Sequence, residues 1–329
     1  MSNRLAILLA ILSLSTFQLH AQALIIFDTD LGGDADDLAA LAMLHNFHKN
    51  GECKLLAVMS WSTEEFTVPA IDAIGRYYEH PGIPIGVRKH DTYRDENAYG
   101  KAIADKFPYE LTPEKAPDAT RLYRDILGDA EANSIVIVTV GPLYNIKALI
   151  ESGPDSYSKL NGKELIHEKV KEFVIMGGQF PEGENEWNFN GNMEGVTKFV
   201  IENIDLPIIF SGFEVGVQIK SAAILNERKP DTPLFAGFMH FSSHASWMKD
   251  RFEGKILDNS SFDQTAVLHA VRNGVGDYWD RIEGGRCVPD KKGGNTWAHD
   301  PTSKHSYLKL LRDPEEMATL IEAIMLEEE

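Results

Sequence analysis

Five aspartates follow the first strongly apolar run of the chain, and they are the residues best suited to do chemistry. Residues 24–27 (LIIF) predict a short buried strand, and the segment after it carries Asp28, Asp30, Asp34, Asp36 and Asp37. So many carboxylates cannot all ionise side by side unless a cation neutralises them or their pKa values shift. Carboxylate oxygens favour calcium or magnesium over softer metals. The segment therefore predicts a metal site.

Two other interpretations of this segment can be weighed from its residues. A solvated acidic loop is one, because Asp36 and Asp37 suit the start of a helix. A calcium loop of the EF-hand type is the other, because the D-x-D spacing recurs. The chain has Gly32 and Ala39 at the fifth and twelfth positions of such a loop, where oxygen ligands belong, and a strand precedes it. The EF-hand interpretation fails, and the acidic loop stays open.

A phosphoryl-transfer site is a further alternative. The segment Phe27-Asp28-Thr29-Asp30 after an apolar strand resembles the nucleophile loop of haloacid-dehalogenase-type phosphatases, which would use Asp28 and magnesium. That family also needs a downstream lysine and an acidic pair at another strand end. The chain offers no well-placed lysine, so the phosphatase is the minor alternative.

Apolar strands alternate with amphipathic helices along most of the chain. Strands are predicted at residues 24–27, 55–60, 83–85, 134–140, 171–176 and 207–210. Helices are predicted at residues 36–48 and 68–78, and a further helix follows residues 141–143 and ends at residue 150. This alternation predicts an α/β fold with an open, mostly parallel, Rossmann-like sheet that carries helices on both faces. Ligands of such sheets gather at the carboxyl ends of the strands. The polar stretches 88–117 and 226–259 predict long connections, of the kind that serve as active-site loops or lids.

One domain is predicted for residues 24–329, because the chain shows no internal repeat and no linker. Residues 277–279 and 294–297 predict two hairpin strands with a turn between them. Residues 314–325 predict a terminal helix. No function is assigned to the region after Val267.

The charge and the cysteine content exclude some classes of function. The formal net charge of −18 argues against binding of a nucleic-acid backbone. Cys53 and Cys287 cannot form a disulfide framework, and whether they pair is open. No Cys/His cluster has zinc spacing. The charge itself identifies no partner, and the oligomeric state stays open, with a homo-oligomer among the alternatives.

The first 23 residues predict a cleaved signal peptide. Arg4 supplies the positive start, residues 5–17 are apolar, and Ala21-Gln22-Ala23 matches the A-x-A cleavage pattern. The apolar run is too short to span a bilayer. A periplasmic or secreted protein without a membrane anchor is therefore expected.

Four sequence blocks occur in the same order as in one known enzyme family. They are residues 28–44 (DTDLGGDADDLAALAML), 138–145 (VTVGPLYN), 176–190 (from MGG to EWNFN) and 263–267 (DQTAV). Together they resemble the inosine–uridine-preferring nucleoside hydrolase family, although two extra residues precede the aspartate pair here. The resemblance spans residues 24–267. It implies the nucleoside hydrolase fold, and the chain resembles a divergent, secreted bacterial member.

The resemblance also implies a role for each site residue. The implied ligands of a calcium ion are three carboxylates and one backbone carbonyl, those of Asp30, Asp37, Asp263 and Val140. Asp30 would in addition deprotonate a metal-bound water that attacks the anomeric carbon of a ribonucleoside or related ribosyl compound. The implied sugar contacts are Asp36, Glu186 and Asn188. Asp28 would not contact the metal itself but would orient the residues that bind it.

The residue before the C-terminal aspartate departs from the family pattern. Many members have a histidine there that helps to protonate the leaving base, whereas this chain has Phe262. Stacking on an aromatic ring can assist a departing base instead. The candidates for stacking are Trp187, Trp247, Tyr144 and Phe262. His240 and His244 are alternative acids.

These departures leave two functions open. The leading prediction, which the resemblance implies, is a calcium-dependent N-ribosyl hydrolase that acts on a small-molecule nucleoside or ribosyl substrate. The alternative is a non-catalytic or repurposed sugar binder, which would keep the metal and the ribose contacts but would not activate a leaving group. The nature of the leaving group is not predicted.

Overall fold

The computed structural model describes residues 22–89, 98–228 and 230–327. Its strands, in chain order, are β1 Ala23–Thr29, β2 Cys53–Ser60, β3 Ile85–Val87, β4 Ile135–Thr139, β5 Val170–Met176, β6 Glu182–Gly183, β7 Ile208–Ser211, β8 Lys220–Ser221, β9 Asn259–Ser260, β10 Trp279–Ile282, β11 Gly285–Pro289, β12 Asn295–His299 and β13 His305–Leu310.

Helices separate most of these strands. In chain order they are α1 Asp36–Lys49, α2 Thr67–Tyr77, α3 Gly100–Ala104, α4 Ala119–Asp129, α5 Tyr144–Glu151, α6 Gly162–Lys169, α7 Trp187–Asn190, α8 Val196–Asn203, α9 Phe213–Gly216, α10 Pro233–His244, α11 Phe262–Arg272 and α12 Pro314–Leu326. Short 3-10 turns occur at Ala223–Asn226 and Lys249–Arg251.

An eight-stranded sheet forms the centre of the fold. Its strand order is β10-β13-β7-β5-β4-β1-β2-β3. Every neighbouring pair from β13 to β3 is parallel, and β10 runs antiparallel to β13 at one edge. The prediction of an open, mostly parallel sheet is confirmed.

Helices cover both faces of this sheet, as predicted. Successive side chains of a strand point to opposite faces, so Ile25 and Phe27 of β1 pack into one buried cluster and Ile26 packs into another. The first cluster includes side chains of α1, α2, α10, α11 and α12, and the second includes side chains of α4, α5, α6 and α8. Two apolar layers therefore fix the strand ends that carry the site.

Some predicted elements differ from the structure. The third strand is Ile85–Val87, because the proline at position 84 has no N–H to offer a neighbouring strand. Residues 277–279 and 294–297 do not form one hairpin. β10 joins the central sheet beside β13, whereas β12 pairs with β11 and β6 in a separate three-stranded sheet. Local sequence indicates that a strand forms but not which distant strand will pair with it.

Three other predictions concern the termini, the loops and the cysteines. Residues 1–21, which carry most of the predicted signal peptide, lie outside the described residues. Within the described ranges no helix is long and apolar enough to cross a bilayer. The stretches predicted as long connections contain α3 and α10. Cys53 and Cys287 are buried free thiols, so they do not pair in this structure.

Candidate active site

The end of β1 and the start of α1 set the positions of the aspartates. The hydroxyl of Thr29, the last residue of β1, accepts a hydrogen bond from the backbone of Leu31 (3.1 Å) and donates one to Asp37. Ala35 gives α1 no side-chain cap. Asp36 and Asp37 lie in the first turn of α1, where the helix dipole favours negative charge.

Three buried carboxylates come together at the carboxyl end of the sheet. One oxygen from each of Asp36, Asp37 and Asp263 lies within 4.8 Å of the other two. Burial, followed by the charges of neighbouring aspartates, raises the pKa of all three well above the ordinary value. Oxygens that bind one calcium ion at about 2.3–2.6 Å lie at most about 5 Å apart. The donor set therefore fits a hard divalent cation.

The predicted metal ligands are only partly gathered in this cluster. Asp37 and Asp263 lie in it as expected, and Asp36, which was assigned to the sugar, lies there too. Asp30 and Val140 line the same cavity beside it. After burial, the charge of Asp30 is the largest cause of the raised pKa of Asp37, so these two carboxylates lie close together. Asp36 is thus a metal-ligand candidate, although the resemblance implied a sugar contact for it.

Asp30 is held between the end of β4 and helix α7. A Cβ atom on Gly141 would lie 2.9 Å from both the backbone nitrogen and Oδ1 of Asp30. On the other side, the indole Nε1 of Trp187 donates a hydrogen bond of 3.0 Å to Oδ2 of Asp30. The glycine of the Gly-Pro motif therefore serves a close approach of two chain segments.

Asp28 lies behind the cavity and does not line it. Its carboxylate accepts hydrogen bonds from the hydroxyl of Tyr123 (2.8 Å) and the side-chain amide of Asn145 (3.1 Å). Burial raises the pKa of Asp28 to about 7, although these two hydrogen bonds act in the opposite direction. An aspartyl nucleophile has to face its substrate, so this placement gives no support to a phosphatase that uses Asp28.

Glu186 and Asn188 line the cavity and also fix helix α7. The Glu186 carboxylate accepts three backbone N–H bonds at 2.8–3.0 Å, one of them from Gly178. The side-chain amide of Asn188 donates to the backbone carbonyls of Val140 (2.9 Å) and Met176 (3.1 Å). These bonds tie α7 to the ends of β4 and β5. The predicted sugar contacts of both residues stay predictions.

A cavity of about 690 Å³ opens above the carboxylates. Its acidic lining consists of Asp30, Asp34, Asp36, Asp37, Glu186 and Asp263. Its aromatic lining consists of Trp187, Phe213, Trp247 and Phe262. The rings of Phe213 and Phe262 stack with their centroids 5.2 Å apart. Cavities of about 300–1,000 Å³ are typical of small-molecule sites, and this one combines an acidic floor with an aromatic wall.

Three of the residues predicted to assist the leaving group are not among the residues that line the cavity. His240 and His244 stack on each other along α10, with their centroids 3.9 Å apart. The ring of Tyr144 lies under the guanidinium of Arg88. Trp187, Trp247 and Phe262 do line the cavity, as expected.

Several site residues were not predicted. Phe213 follows the strand-then-glycine junction at Gly212, and that junction was the only signal for it. Asp34, which had no assigned role, lines the cavity and accepts hydrogen bonds from Asn259 and from the backbone of Ala35. Burial raises the pKa of Asp34 to about 6. Its partner Asn259 is distant in sequence, so no local pattern could reveal the pair.

Comparison with known proteins agrees with this geometry. The family model of inosine-uridine preferring nucleoside hydrolases matches residues 25–304. A search of curated protein sequences returned no match. Among solved structures, the purine-preferring ribonucleoside hydrolase from Gardnerella vaginalis is 16% identical and has a TM-score of 0.69, with 93% of this chain and 99% of that chain covered.

Two further solved structures share the fold. The inosine-uridine preferring nucleoside hydrolase from Bacillus anthracis is 14% identical with a TM-score of 0.65, and 93% of this chain and 100% of that chain are covered. The type III effector protein XopQ, complexed with adenosine diphosphate ribose, is 13% identical with a TM-score of 0.61, and 93% of both chains is covered. At these identities the likeness shows the fold.

The family model covers most of the 329 residues and includes all four sequence blocks. The chain belongs to the inosine–uridine-preferring nucleoside hydrolase family, and it is an N-glycosyl hydrolase.

Proposed function

We propose that this enzyme hydrolyses the N-glycosidic bond of a ribonucleoside or a related ribosyl compound, with calcium as its metal ion. The cluster of Asp36, Asp37 and Asp263 on the floor of the cavity carries the proposal. Its three oxygens lie within 4.8 Å of one another, which is compatible with the flexible all-oxygen coordination that calcium accepts. Calcium, when bound, would supply the positive charge that holds sugar hydroxyls and lowers the pKa of a water molecule.

Asp30 is the general base of the proposed reaction. It lines the cavity beside the carboxylate cluster, and Trp187 and Gly141 fix its position. It would accept the proton of the water that attacks the anomeric carbon. The transition state has oxocarbenium character, so the negative charges around the sugar stabilise it. Glu186 and Asn188 would contact the sugar hydroxyls from the side of α7.

The substrate range includes ribosyl compounds larger than a nucleoside. The cavity of about 690 Å³ is within the usual range of small-molecule sites, which also accommodates ligands larger than a nucleoside. XopQ, which shares the fold, was solved with adenosine diphosphate ribose. This ligand therefore belongs in the substrate panel beside purine and pyrimidine nucleosides.

Export across the inner membrane is part of the proposal. It rests on the leader-like pattern of residues 1–23. Cell fractionation with an antibody against the mature chain tests it. The mature protein should begin near Leu24 and occur in the periplasmic or extracellular fraction, and a full-length cytoplasmic protein would contradict export.

The activity is tested by measuring ribose release from this panel. The wild-type enzyme is assayed with calcium and with a chelator, and Asp30→Asn is assayed with calcium. Loss of the general base should lower kcat by about 10²–10⁴-fold, and the chelator should abolish turnover. If no compound is cleaved although calcium binds tightly, the proposed activity is wrong.

The sequence also left open a sugar binder without turnover, which would be a member of the family that has lost its activity. Among the residues that the structure describes, the ionisable ones that line the cavity are all carboxylates. Phe262 stands where many relatives have a histidine, and this observation favours the binder. Calorimetry that detects ribose or nucleoside binding without product would support the binder. Measurable turnover of any compound in the panel would exclude it.

A further inference from the structure

The three-stranded sheet made of β11, β12 and β6 lies against the loop that carries α7. β6 is part of this loop, and its residues Glu182 and Gly183 pair with Thr296 and Asn295 of β12. The loop leads from the end of β5 to α8 and includes Glu186, the proposed sugar contact. The hairpin of β11 and β12, residues 285–299, follows about a hundred residues later in the chain. The sequence pattern assigns no function to this hairpin.

The side chain of Asn295 holds both backbone polar groups of one cavity residue. Its Oδ1 accepts a hydrogen bond from the backbone nitrogen of Gln179 (2.9 Å), and its Nδ2 donates to the backbone carbonyl of Gln179 (2.8 Å). Gln179 lines the cavity. Asn295 is only 3% exposed, so water cannot easily replace either bond. Its amide thus acts as a two-point connection between hairpin and loop.

The turn of the hairpin makes a second set of bonds to the same loop. The carbonyl of Gly293 accepts from the backbone nitrogen of Glu186 (3.2 Å), and the carbonyl of Lys292 accepts from the side-chain amide of Asn190 (2.7 Å). The Asp290 carboxylate shapes this turn by accepting hydrogen bonds from two of its backbone nitrogens at 2.6 and 3.0 Å. The turn is therefore held in shape by Asp290, and it makes hydrogen bonds to both ends of α7.

We propose that the hairpin of residues 285–299 is a clamp on the loop of residues 178–191, and that Asn295 is a positioning residue for the hydrolysis. Without the clamp, the positions of Gln179 and Glu186 would depend mainly on hydrogen bonds within their own loop. A buried polar group that loses its hydrogen-bond partner destabilises the arrangement, and the loop would then leave its position. This inference rests on the proposed function, since it assumes that Glu186 and Asn188 contact the sugar.

Asn295→Leu tests the clamp, because it removes both bonds at similar side-chain size. Asn46→Leu is the matched control. Asn46 is 1% exposed and its amide donates to the carbonyls of Ile324 and Met325, away from the cavity. For each variant, the KM and kcat for the best substrate, the calcium affinity and amide hydrogen exchange are measured.

Asn295→Leu should raise the KM about tenfold, change the calcium affinity less than twofold, and speed hydrogen exchange in residues 178–191 ahead of the rest of the chain. Asn46→Leu should leave the KM and this exchange unchanged. An unchanged KM, or exchange that rises uniformly over the whole chain, would overturn the positioning role, because a purely structural residue gives that result.

A second pair of variants keeps the test decisive if Asn295→Leu does not fold. A Cβ atom on Gly293 would lie 2.7–2.8 Å from backbone and Cβ atoms of Asn190, whereas one on Gly284 would meet nothing within 4 Å. Both glycines have positive φ angles, +95° and +76°, so both alanine variants carry similar backbone strain. Gly293→Ala should reproduce the rise in KM and in local exchange, and Gly284→Ala should not. Equal effects of the two variants would contradict the clamp.

The exchange measurement also separates this inference from the proposed function. If the wild-type enzyme cleaves no ribosyl compound, the proposed function fails, and the clamp is then judged by exchange in residues 178–191 alone. If nucleosides are cleaved but neither variant changes the KM or the exchange, the clamp fails and the proposed function stands.

Discussion

The indole Nε1 of Trp187 donates a hydrogen bond of 3.0 Å to the carboxylate of Asp30. Trp187 was predicted from the sequence as a ring on which a base stacks. Its position adds a second task, since it orients the residue proposed as the general base. Because α7 carries Trp187 and the end of β1 leads into Asp30, the bond joins helix α7 to the segment after β1 at the lining of the cavity.

Replacing Trp187 with phenylalanine keeps an aromatic ring but removes the N–H donor. The Asp30 carboxylate then loses a fixed orientation, and hydrogen bonds to charged groups are worth about 1.5–3 kcal/mol. We expect kcat to fall about tenfold or more, with the KM little changed. Steady-state kinetics with the best nucleoside measures this. Trp279→Phe makes the same replacement outside the cavity and should leave kcat as it is, and a wild-type kcat for Trp187→Phe would contradict the orienting role.

Gly141→Ala tests the close approach of β4 to Asp30. The added Cβ would lie 2.9 Å from the backbone nitrogen of Asp30, so the loop after β1 has to shift. Misplacement of a catalytic group by about 1 Å can lower the rate by about 10²-fold. We expect kcat/KM to fall by this order while the protein stays folded, as followed by circular dichroism. Gly153→Ala, where a Cβ meets nothing within 4 Å, is the control that should retain full activity.

Trp247→Ala tests recognition of the leaving group. Trp247 lines the cavity and is 53% exposed, so its ring is available to a ligand. Aromatic pairs contribute about 0.5–1.5 kcal/mol beyond area burial, and we therefore expect the KM for nucleosides to rise up to about tenfold. Ribose binding, measured by calorimetry, should not change. Leu311→Ala removes an equally exposed apolar side chain elsewhere and should alter neither value, whereas a nucleoside KM unaffected by Trp247→Ala would remove this residue from the substrate site.

His269 makes the stability depend on pH. Burial, and then the charge of Arg281, lowers the pKa of His269 to about 4. Between pH 6.5 and pH 4 the unfolded chain binds a proton at this residue and the folded chain does not, so the free energy of unfolding falls as the pH falls. His269→Gln should reduce that loss, by up to about 3 kcal/mol over the whole window.

Urea unfolding at pH 7.5 and pH 5 measures the effect of His269, with the chelator present throughout. The buried carboxylates around the metal site act in the opposite direction, because their raised pKa values favour the folded state at low pH. The comparison is therefore the difference between variant and wild type. His244→Gln, at an exposed histidine, should match the wild type, and an equal pH dependence for His269→Gln and wild type would refute the assignment.

The sheet and the first metal residues could be predicted from the sequence because both depend on local patterns. Continuous apolar runs such as residues 134–140 indicate buried parallel strands, and the carboxyl ends of such strands meet at one edge. Asp37 follows the first such strand, whereas Asp263 was placed with it by the family resemblance of residues 263–267. Both residues lie in the carboxylate cluster.

The pairings between distant segments could not be predicted. Asn295 bonds to Gln179, and Asn259 bonds to Asp34, yet neither asparagine lies in a pattern that distinguishes it from other polar loop residues. Their role depends on tertiary packing. Tertiary packing also places β10 and β12 in different sheets, although a single hairpin was predicted there. The position of Asp36 had the same cause, since its approach to Asp263 depends on how α1 packs against α11.

A calcium titration of the chelated enzyme tests the central claim most directly. Binding heat and nucleoside turnover are followed on the same preparation, with Asp37→Asn measured in parallel. The account predicts that heat and activity saturate together at one calcium ion per chain, and that Asp37→Asn loses both. Full turnover in the presence of excess chelator, or saturable calcium binding that leaves turnover at zero, would contradict it.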